Sequence, residues 1–216
     1  MKKVLTTTSL SAILLIWVTT IALAPADGYK KISDIKVLEK KVKEFTQSVN
    51  TIMSDFVQVK HLDALEVTIE SKGKFWFKKE NYLRWEYTDP YKYIIAINKD
   101  KFIIKNEGKK QEYDTENNKI FKEINNLIIN SVRGNLLMDK NFSVEAYENA
   151  TSYKVELSPK VAHLKEILSK VEMYFSKKDM SVYKVKMIEN EEDYTEINFN
   201  NRKLNEKISE DIFIIN

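Results

Sequence analysis

Few side chains in this sequence could act on a substrate, and those few do not combine into a reaction site. There are two histidines, His61 and His163, and no cysteine. Neither histidine stands at metal-ligand spacing from a Cys, Asp or Glu, and neither opens a His-Glu-x-x-His motif, so both read as surface or edge residues. The four glycines, Gly28, Gly73, Gly108 and Gly134, are too scattered for a loop that cradles phosphate. A Gly-x-Ser-x-Gly nucleophile elbow is absent from the sequence. The run Glu191-Glu192-Asp193 reads as a solvated turn, and among 32 acidic residues no carboxylate pair stands out. No catalytic residue, metal ligand or cofactor is assigned, and the expectation is a protein that is not an enzyme.

The aromatic residues say more. Phe75, Trp76, Phe77, Tyr82, Trp85, Tyr87, Tyr91 and Tyr93 crowd into nineteen positions. In a strand successive side chains alternate between faces. Phe75 and Phe77 therefore share one face, and Leu83, Trp85 and Tyr87 the matching face of the next strand. Taken singly, each is best explained as core. Taken together, they form one wall of an interior that a few helices alone would not fill, which suggests a site for an apolar ligand.

These residues must be positioned by a sheet, and the sequence pattern supplies one. From Ile35 to Met53 the residues Leu38, Val42, Phe45, Val49 and Ile52 recur at steps of four and three, the period of an amphipathic helix about five turns long. Ser33 or Asp34 is placed to cap it. After Phe56-Val57-Gln58 the period changes to two. Leu65 to Ile69, Phe75 to Phe77 and Leu83 to Tyr87 read as strands, with turns at Ser71-Lys72-Gly73, Lys79-Glu80-Asn81 and Asp89-Pro90. Strand-like runs follow at Tyr93 to Ile97, Phe102 to Lys105 and Gln111 to Tyr113. A helical stretch spans Phe121 to Met138. Five further strands occupy Phe142 to Tyr147, Tyr153 to Leu157, Val171 to Phe175, Val182 to Ile188 and Tyr194 to Phe199. A short helix is expected from Val161 to Leu168, and a last strand-like run from Ile212 to Ile215. The short connections predict an antiparallel meander. The fold class is mainly β with helices (α+β): about ten or eleven antiparallel strands curled into an incomplete barrel, covered by the N-terminal amphipathic helix and a second, lid-like helix.

Lys2 and Lys3 precede an apolar run from Leu10 to Ala24, and Ala24-Pro25-Ala26 offers small residues for cleavage. Residues 1–26 are therefore expected to be a secretory signal and 27–216 a single exported domain. Loss of the leader reduces the excess of bases over acids to one, which gives no footprint for nucleic acid. Without cysteine the core must hold the fold unaided by disulfides, and the cleavage site offers no thiol for lipidation.

Two stretches carry a family resemblance. Phe56-x-Gln58, followed by Gly73-Lys74-Phe75-Trp76-Phe77-Lys78-Lys79-x-x-x-Leu83-Arg84-Trp85-Glu86-Tyr87-x-x-Pro90, resembles the periplasmic outer-membrane lipoprotein carrier family, LolA. Near the end, Tyr183 to Met187, Tyr194-Thr195-Glu196-Ile197-Asn198-Phe199, then Asn205 and Phe213, is similar to that family's last strand and ending. The resemblance implies a periplasmic carrier, expected to be monomeric, whose apolar interior takes the acyl chains of a lipoprotein. An inner-membrane lipoprotein-exporting ABC transporter would load it and an outer-membrane acceptor would receive the cargo. The acyl cavity would be lined by Val42, Phe45, Val49, Ile52, Phe75, Phe77, Leu83, Trp85 and Tyr87, with Leu127, Ile128 and Val132 on the lid. Family members carry an Arg before Pro that hydrogen-bonds the lid helix in the unloaded state. Lys79 occupies that position here and Glu80 replaces the proline, which makes Lys79 the latch candidate. A Leu83→Glu change is expected to abolish cargo transfer while leaving the fold intact. Two other readings are a lipoprotein-sensing regulator on the same fold and a structural envelope-binding protein that uses the outside of the sheet.

Overall fold

The computed structural model describes residues 28–114, 135–190 and 192–216. The proposed signal, the lid residues Leu127, Ile128 and Val132, and Glu191 lie outside these. Within them the chain builds β1 (Lys30–Lys31), helix α1 (Lys36–Ser48), β2 (Thr51–Leu62), β3 (Val67–Lys78), β4 (Tyr82–Asp89), β5 (Tyr93–Asn98), β6 (Lys101–Asn106) and β7 (Lys109–Asp114). It continues with β8 (Phe142–Glu148), β9 (Ser152–Pro159), a single helical turn α2 (Ala162–Lys165), β10 (Lys170–Ser176), β11 (Val182–Ile188) and β12 (Tyr194–Leu204).

All twelve strands join one antiparallel sheet in the order β1-β8-β9-β10-β11-β12-β2-β3-β4-β5-β6-β7. The long strand β2 sits near its middle, paired along its length with β12 and β3. The sheet is open, with β1 and β7 as its edges, and both edges carry adjacent lysines, Lys30-Lys31 and Lys109-Lys110.

Helix α1 is shorter than its apolar spacing suggests. Asp34, one of the two expected caps, accepts a hydrogen bond from the Lys36 N–H at 2.9 Å. Leu38 and Val42, one turn apart, are buried against Phe142, Val155, Leu157 and Met173 of β8 to β10. The helix ends at Ser48, where Val49 turns extended with φ −93° and ψ 121°. The steps from Val49 to Ile52 continue the helical period by coincidence. Ile52 and Met53 belong to β2, where each backbone group finds partners on both neighbouring strands.

Three further expectations are corrected. Ser71-Lys72-Gly73 is no turn, because β3 runs straight through it. Gly73 opposes Phe56, and a Cβ there would lie 2.5 Å from the Phe56 ring and 2.0 Å from the Glu86 carbonyl oxygen. The glycine lets an aromatic ring and a neighbouring strand close over it. Leu65 is no strand residue. It sits at the tip of the β2–β3 hairpin in a 3₁₀ turn, 68% exposed. Ile212 to Ile215 is not a strand either: Glu210–Phe213 forms a 3₁₀ turn capped by Ser209. This tail lies on the outer face of β3 to β6. Phe213, Ile208 and Tyr82 form one buried cluster, and Ile215, Ala96 and Ile103 a second. Arg84 Nη1 donates to the Ile212 carbonyl at 2.8 Å and Lys105 Nζ to that of Asn216 at 2.6 Å, so the tail satisfies its backbone without a sheet partner.

Candidate functional site: an apolar cavity in the curled sheet

The inner face of the sheet is apolar from one half to the other. Cross-strand neighbours run Ile104–Ile95–Trp85–Phe75–Ser54 across β6 to β2, and Ile197–Val185–Met173–Val155–Ala146 across β12 to β8. In the first half the rings interlock. Phe56 lies 4.6 Å from Trp85 and 5.2 Å from Tyr87 between ring centres, and Phe199 packs edge-on to Phe75 and Trp85.

Between the two halves is an apolar cavity of about 230 Å³. Ile52, Phe75, Leu83, Trp85 and Ile95 wall one side; Met173, Val182, Val185 and Met187 wall the other. Ile197, Phe199 and Leu204 of β12 lie between them, and Phe45 comes from the last turn of α1. Ile95 on β5 and Met173 on β10 are six strands apart in the sheet. In a flat sheet that separation is about 29 Å at roughly 4.8 Å per strand. Only strong curling lets both face one cavity.

Of the nine cavity candidates, Phe45, Ile52, Phe75, Leu83 and Trp85 line it. Val42 is packed beneath it in the α1 core, and Val49 is buried where the chain leaves α1. Phe77 is buried beside Leu83 and Ile97. Tyr87 packs on Phe56 and donates its hydroxyl to Gln58 Oε1 at 2.9 Å, away from the cavity lining. Leu83 is fully buried in that same cluster. A Leu83→Glu carboxylate would therefore be desolvated among apolar neighbours, and the variant is expected to lose its fold, not cargo transfer alone.

Lys79 has a partner that the sequence does not suggest. Its Nζ donates to the Gln47 carbonyl, in the last turn of α1, at 2.6 Å. Asn205 completes this helix end: its Nδ2 donates to the Ser48 carbonyl at 3.1 Å, and its Oδ1 accepts from the Asn50 N–H at 2.7 Å. A cation and an amide thus satisfy carbonyls that a helix leaves unpaired. The Asn of the sequence ending is a helix-capping residue, and the Phe is the buried anchor of the tail. The turn that carries Lys79 has φ 73° at Glu80 and 67° at Asn81. Proline is fixed near −65° and could not stand at Glu80 in this turn.

Three polar side chains line the cavity: Ser54, Ser181 and Arg202. The serines are satisfied internally. Ser54 Oγ donates to the Asn200 carbonyl at 2.7 Å, and Ser181 Oγ to Asp179 Oδ1 at 2.6 Å. Burial alone would raise the Asp179 carboxyl, but the Ser181 hydroxyl and N–H and the Arg202 charge bring it below its ordinary value.

Arg202 reaches the cavity because of a β-bulge. Opposite β2, Asn200 pairs with Asp55 while Lys203 pairs with Met53, so β12 holds one extra residue. Asn201 takes φ 52° and donates from Nδ2 to Asp55 Oδ2 at 2.8 Å. The extra residue flips the alternation that Ile197 and Phe199 establish and turns Arg202 and Leu204 inward. Sequence reasoning misses Arg202, since strict alternation from Phe199 places it on the outer face.

Of the remaining candidates for chemistry, His61 and Asp193 make structural contacts. His61 Nδ1 lies 3.0 Å from Thr68 Oγ1 and its ring stacks on Tyr194, across the sheet from β2. His163 is on α2. Asp193 accepts from the Asp63 backbone N–H at 2.8 Å and from Asn190 Nδ2, contacts that hold its carboxyl below its usual value and tie two hairpin ends together. Among the described residues no three His, Asp or Glu side chains gather to hold a metal. No helix among them is long and apolar enough to cross a membrane.

Comparison with known proteins agrees with this architecture. The fold is similar to that of MucB in the Pseudomonas aeruginosa MucA/MucB complex, with TM-score 0.51 and 9% identity over 85% of this chain and 62% of that one. It is also similar to an uncharacterized conserved protein from Thermus thermophilus, with TM-score 0.51 and 7% identity over 82% and 91% of the two chains. In sequence, the chain is 25% identical over 128 residues to an outer-membrane lipoprotein carrier protein of Methylococcus capsulatus, a match covering 56% of this chain and 58% of that relative. The model of the outer membrane lipoprotein carrier protein LolA matches residues 47–216, from the end of α1 through the tail on the outer face, and the chain belongs to that family.

Proposed function

We propose that this protein is a periplasmic carrier that shelters the acyl chains of lipoproteins in its cavity while they pass from the inner to the outer membrane. The observation that carries the reading is an apolar cavity walled by both halves of a curled sheet, in a chain of the LolA family. Loading by an inner-membrane lipoprotein-exporting ABC transporter and delivery to an outer-membrane acceptor belong to the same proposal.

The energetics set what such a cavity must do. Burying acyl carbon is worth about 0.8 kcal/mol per CH₂. Cargo leaves a membrane only if the carrier offers comparable burial, and it leaves the carrier only if the acceptor offers slightly more. An interior walled by seven strands of an open twelve-stranded sheet suits this, because the volume can grow by small changes of curl. We read Lys79 as holding the last turn of α1, and Phe45 with it, at the mouth of the cavity.

The test is a release assay in which the purified protein is incubated with spheroplasts. Lipoproteins recovered in a soluble complex with it are the expected result. Lipoproteins that remain in the membrane at every protein concentration, together with protein that purifies free of acyl chains by mass spectrometry, would sink the reading.

A further inference from the structure

The cavity lining holds, among the described residues, one charged side chain, Arg202, and part of its hydrogen-bonding capacity is unspent. Among the described residues Arg202 has no carboxylate within 4 Å. Its one hydrogen bond runs from Nη1 to the Phe199 carbonyl at 3.1 Å. Its Nε is buried and has no partner. Trp85 Nε1, also buried and without an acceptor in hydrogen-bond geometry, lies near the Tyr87 hydroxyl and works against the upward push of burial on it. Buried donors are normally paired, and leaving one unpaired costs roughly 1–3 kcal/mol. Nothing among the described residues accepts from Arg202 Nε, and an acceptor oxygen carried by a ligand would satisfy it.

The bulge strengthens the case. A β-bulge costs regular pairing and re-aims the side chain that follows it. This one is fastened three times, by Ser54 to the Asn200 carbonyl, by Asn201 to Asp55 and by Arg202 to the Phe199 carbonyl. Without it Arg202 would face outward. The half-buried guanidinium lies over the Tyr183 ring at 6.0 Å and close enough to Asp179 to lower that carboxyl, yet it hydrogen-bonds to neither.

We propose that Arg202 is the polar anchor of the cavity and binds the acyl carbonyl or carboxylate oxygen of the cargo, so that chains enter with a fixed orientation. The oxygen could belong to the ester or amide linkage of an acylated lipoprotein or to a free fatty acid. Both present the same acceptor at the head of a hydrocarbon chain. A planar guanidinium with parallel N–H groups matches such an oxygen better than an ammonium does. This inference rests on the acyl-cavity reading and adds to it a direction and a residue.

The experiment uses bromine quenching of Trp85, which lines the cavity, with the loss of quenching in Trp85→Phe assigning the signal. Three probes are titrated: bromododecanoic acid, its methyl ester and bromododecane. In the unchanged protein the acid, the ester or both should bind about tenfold or more tightly than the oxygen-free bromide. Preference for the ester points to a lipoprotein linkage, and preference for the acid alone to a fatty acid. Arg202→Met should remove most of that advantage, and Arg202→Lys should keep part of it. Equal affinities for all three probes in the unchanged protein overturn the anchor and leave the acyl cavity standing. A uniform drop across the probes in Arg202→Met also overturns it, since that is the signature of a structural role. Absence of quenching by any probe overturns the acyl cavity itself. Should Arg202→Met fail to fold, the three-probe comparison in the unchanged protein still decides.

Discussion

The two faces of strands β3 to β5 are built from similar residues and end in different states. On the outer face Tyr82, Trp76 and Ala96 are covered by Ile208, Phe213 and Ile215 of the tail, and Phe213 is fully buried. On the inner face Phe75, Leu83, Trp85 and Ile95 meet the opposite half of the sheet across a cavity. Aromatic content does not distinguish a filled core from a hollow one. What distinguishes them is whether the chain supplies its own cover, and on the outer face the tail that follows β12 does so.

The sharpest way to break this comparison is to truncate one phenylalanine on each face. Phe213→Ala removes a ring packed on all sides and should cost about 3–5 kcal/mol in urea unfolding. Phe199→Ala removes a ring that already faces open space, so it should cost roughly half as much or less while weakening acyl binding. Equal costs for the two would mean that the inner face is not hollow. Gly73→Ala tests the seam between the faces. The added methyl meets a backbone carbonyl as well as the Phe56 ring, and about 3 kcal/mol of stability should be lost.

An acid titration gives a smaller effect and probes the outer face of the other half. Burial alone would raise the Glu156 carboxyl, but Lys170 at 2.9 Å and Lys154 at 3.2 Å hold it below its ordinary value. A carboxyl depressed in the folded state stabilises the fold above its unfolded pKa and loses that contribution as pH falls through the folded value. The thermal midpoint should therefore drop below about pH 4.5, and Glu156→Gln should flatten part of that fall. A wild-type slope retained in the variant would place the acid sensitivity elsewhere. The smallest expected effect is that of Lys79→Met. It removes a cation from the C-terminus of α1, should cost under about 1 kcal/mol, and should speed entry of a quenching acyl probe past Phe45. Unchanged entry kinetics would show that Lys79 does not hold the mouth.

Most of the sheet is legible in the sequence because alternation survives wherever one face is buried. Phe75 and Phe77, or Leu83, Trp85 and Tyr87, declare their face by spacing alone. The start of strand β2 is obscured because Val49 and Ile52 extend the spacing of α1, and only pairing with β3 and β12 decides between helix and strand. Ile212 to Ile215 reads wrongly as a strand because four apolar residues in a row have no period, and their partner is a distant outer face. The cavity residues are half legible. Phe45, Ile52, Phe75, Leu83 and Trp85 follow from pattern, but Met173, Val185 and Met187 need the curl that brings the far half of the sheet around. Arg202 is illegible for a sharper reason: one extra residue at Asn201 inverts every inference from alternation downstream of it.

The lysines on both edges of the sheet have a consequence for the life of the protein in a crowded compartment. Among the described residues the sheet does not close and leaves β1 and β7 as edges, the places where a neighbour could add a strand. Lys30 and Lys31 on a two-residue strand, and Lys109 and Lys110 on the other edge, put charged side chains there, Lys31 paired with Glu145 and Lys110 with Glu112. Charged edges disfavour strand pairing with a second copy. The molecule can therefore stay open enough to flex without the polymerisation that openness would otherwise invite.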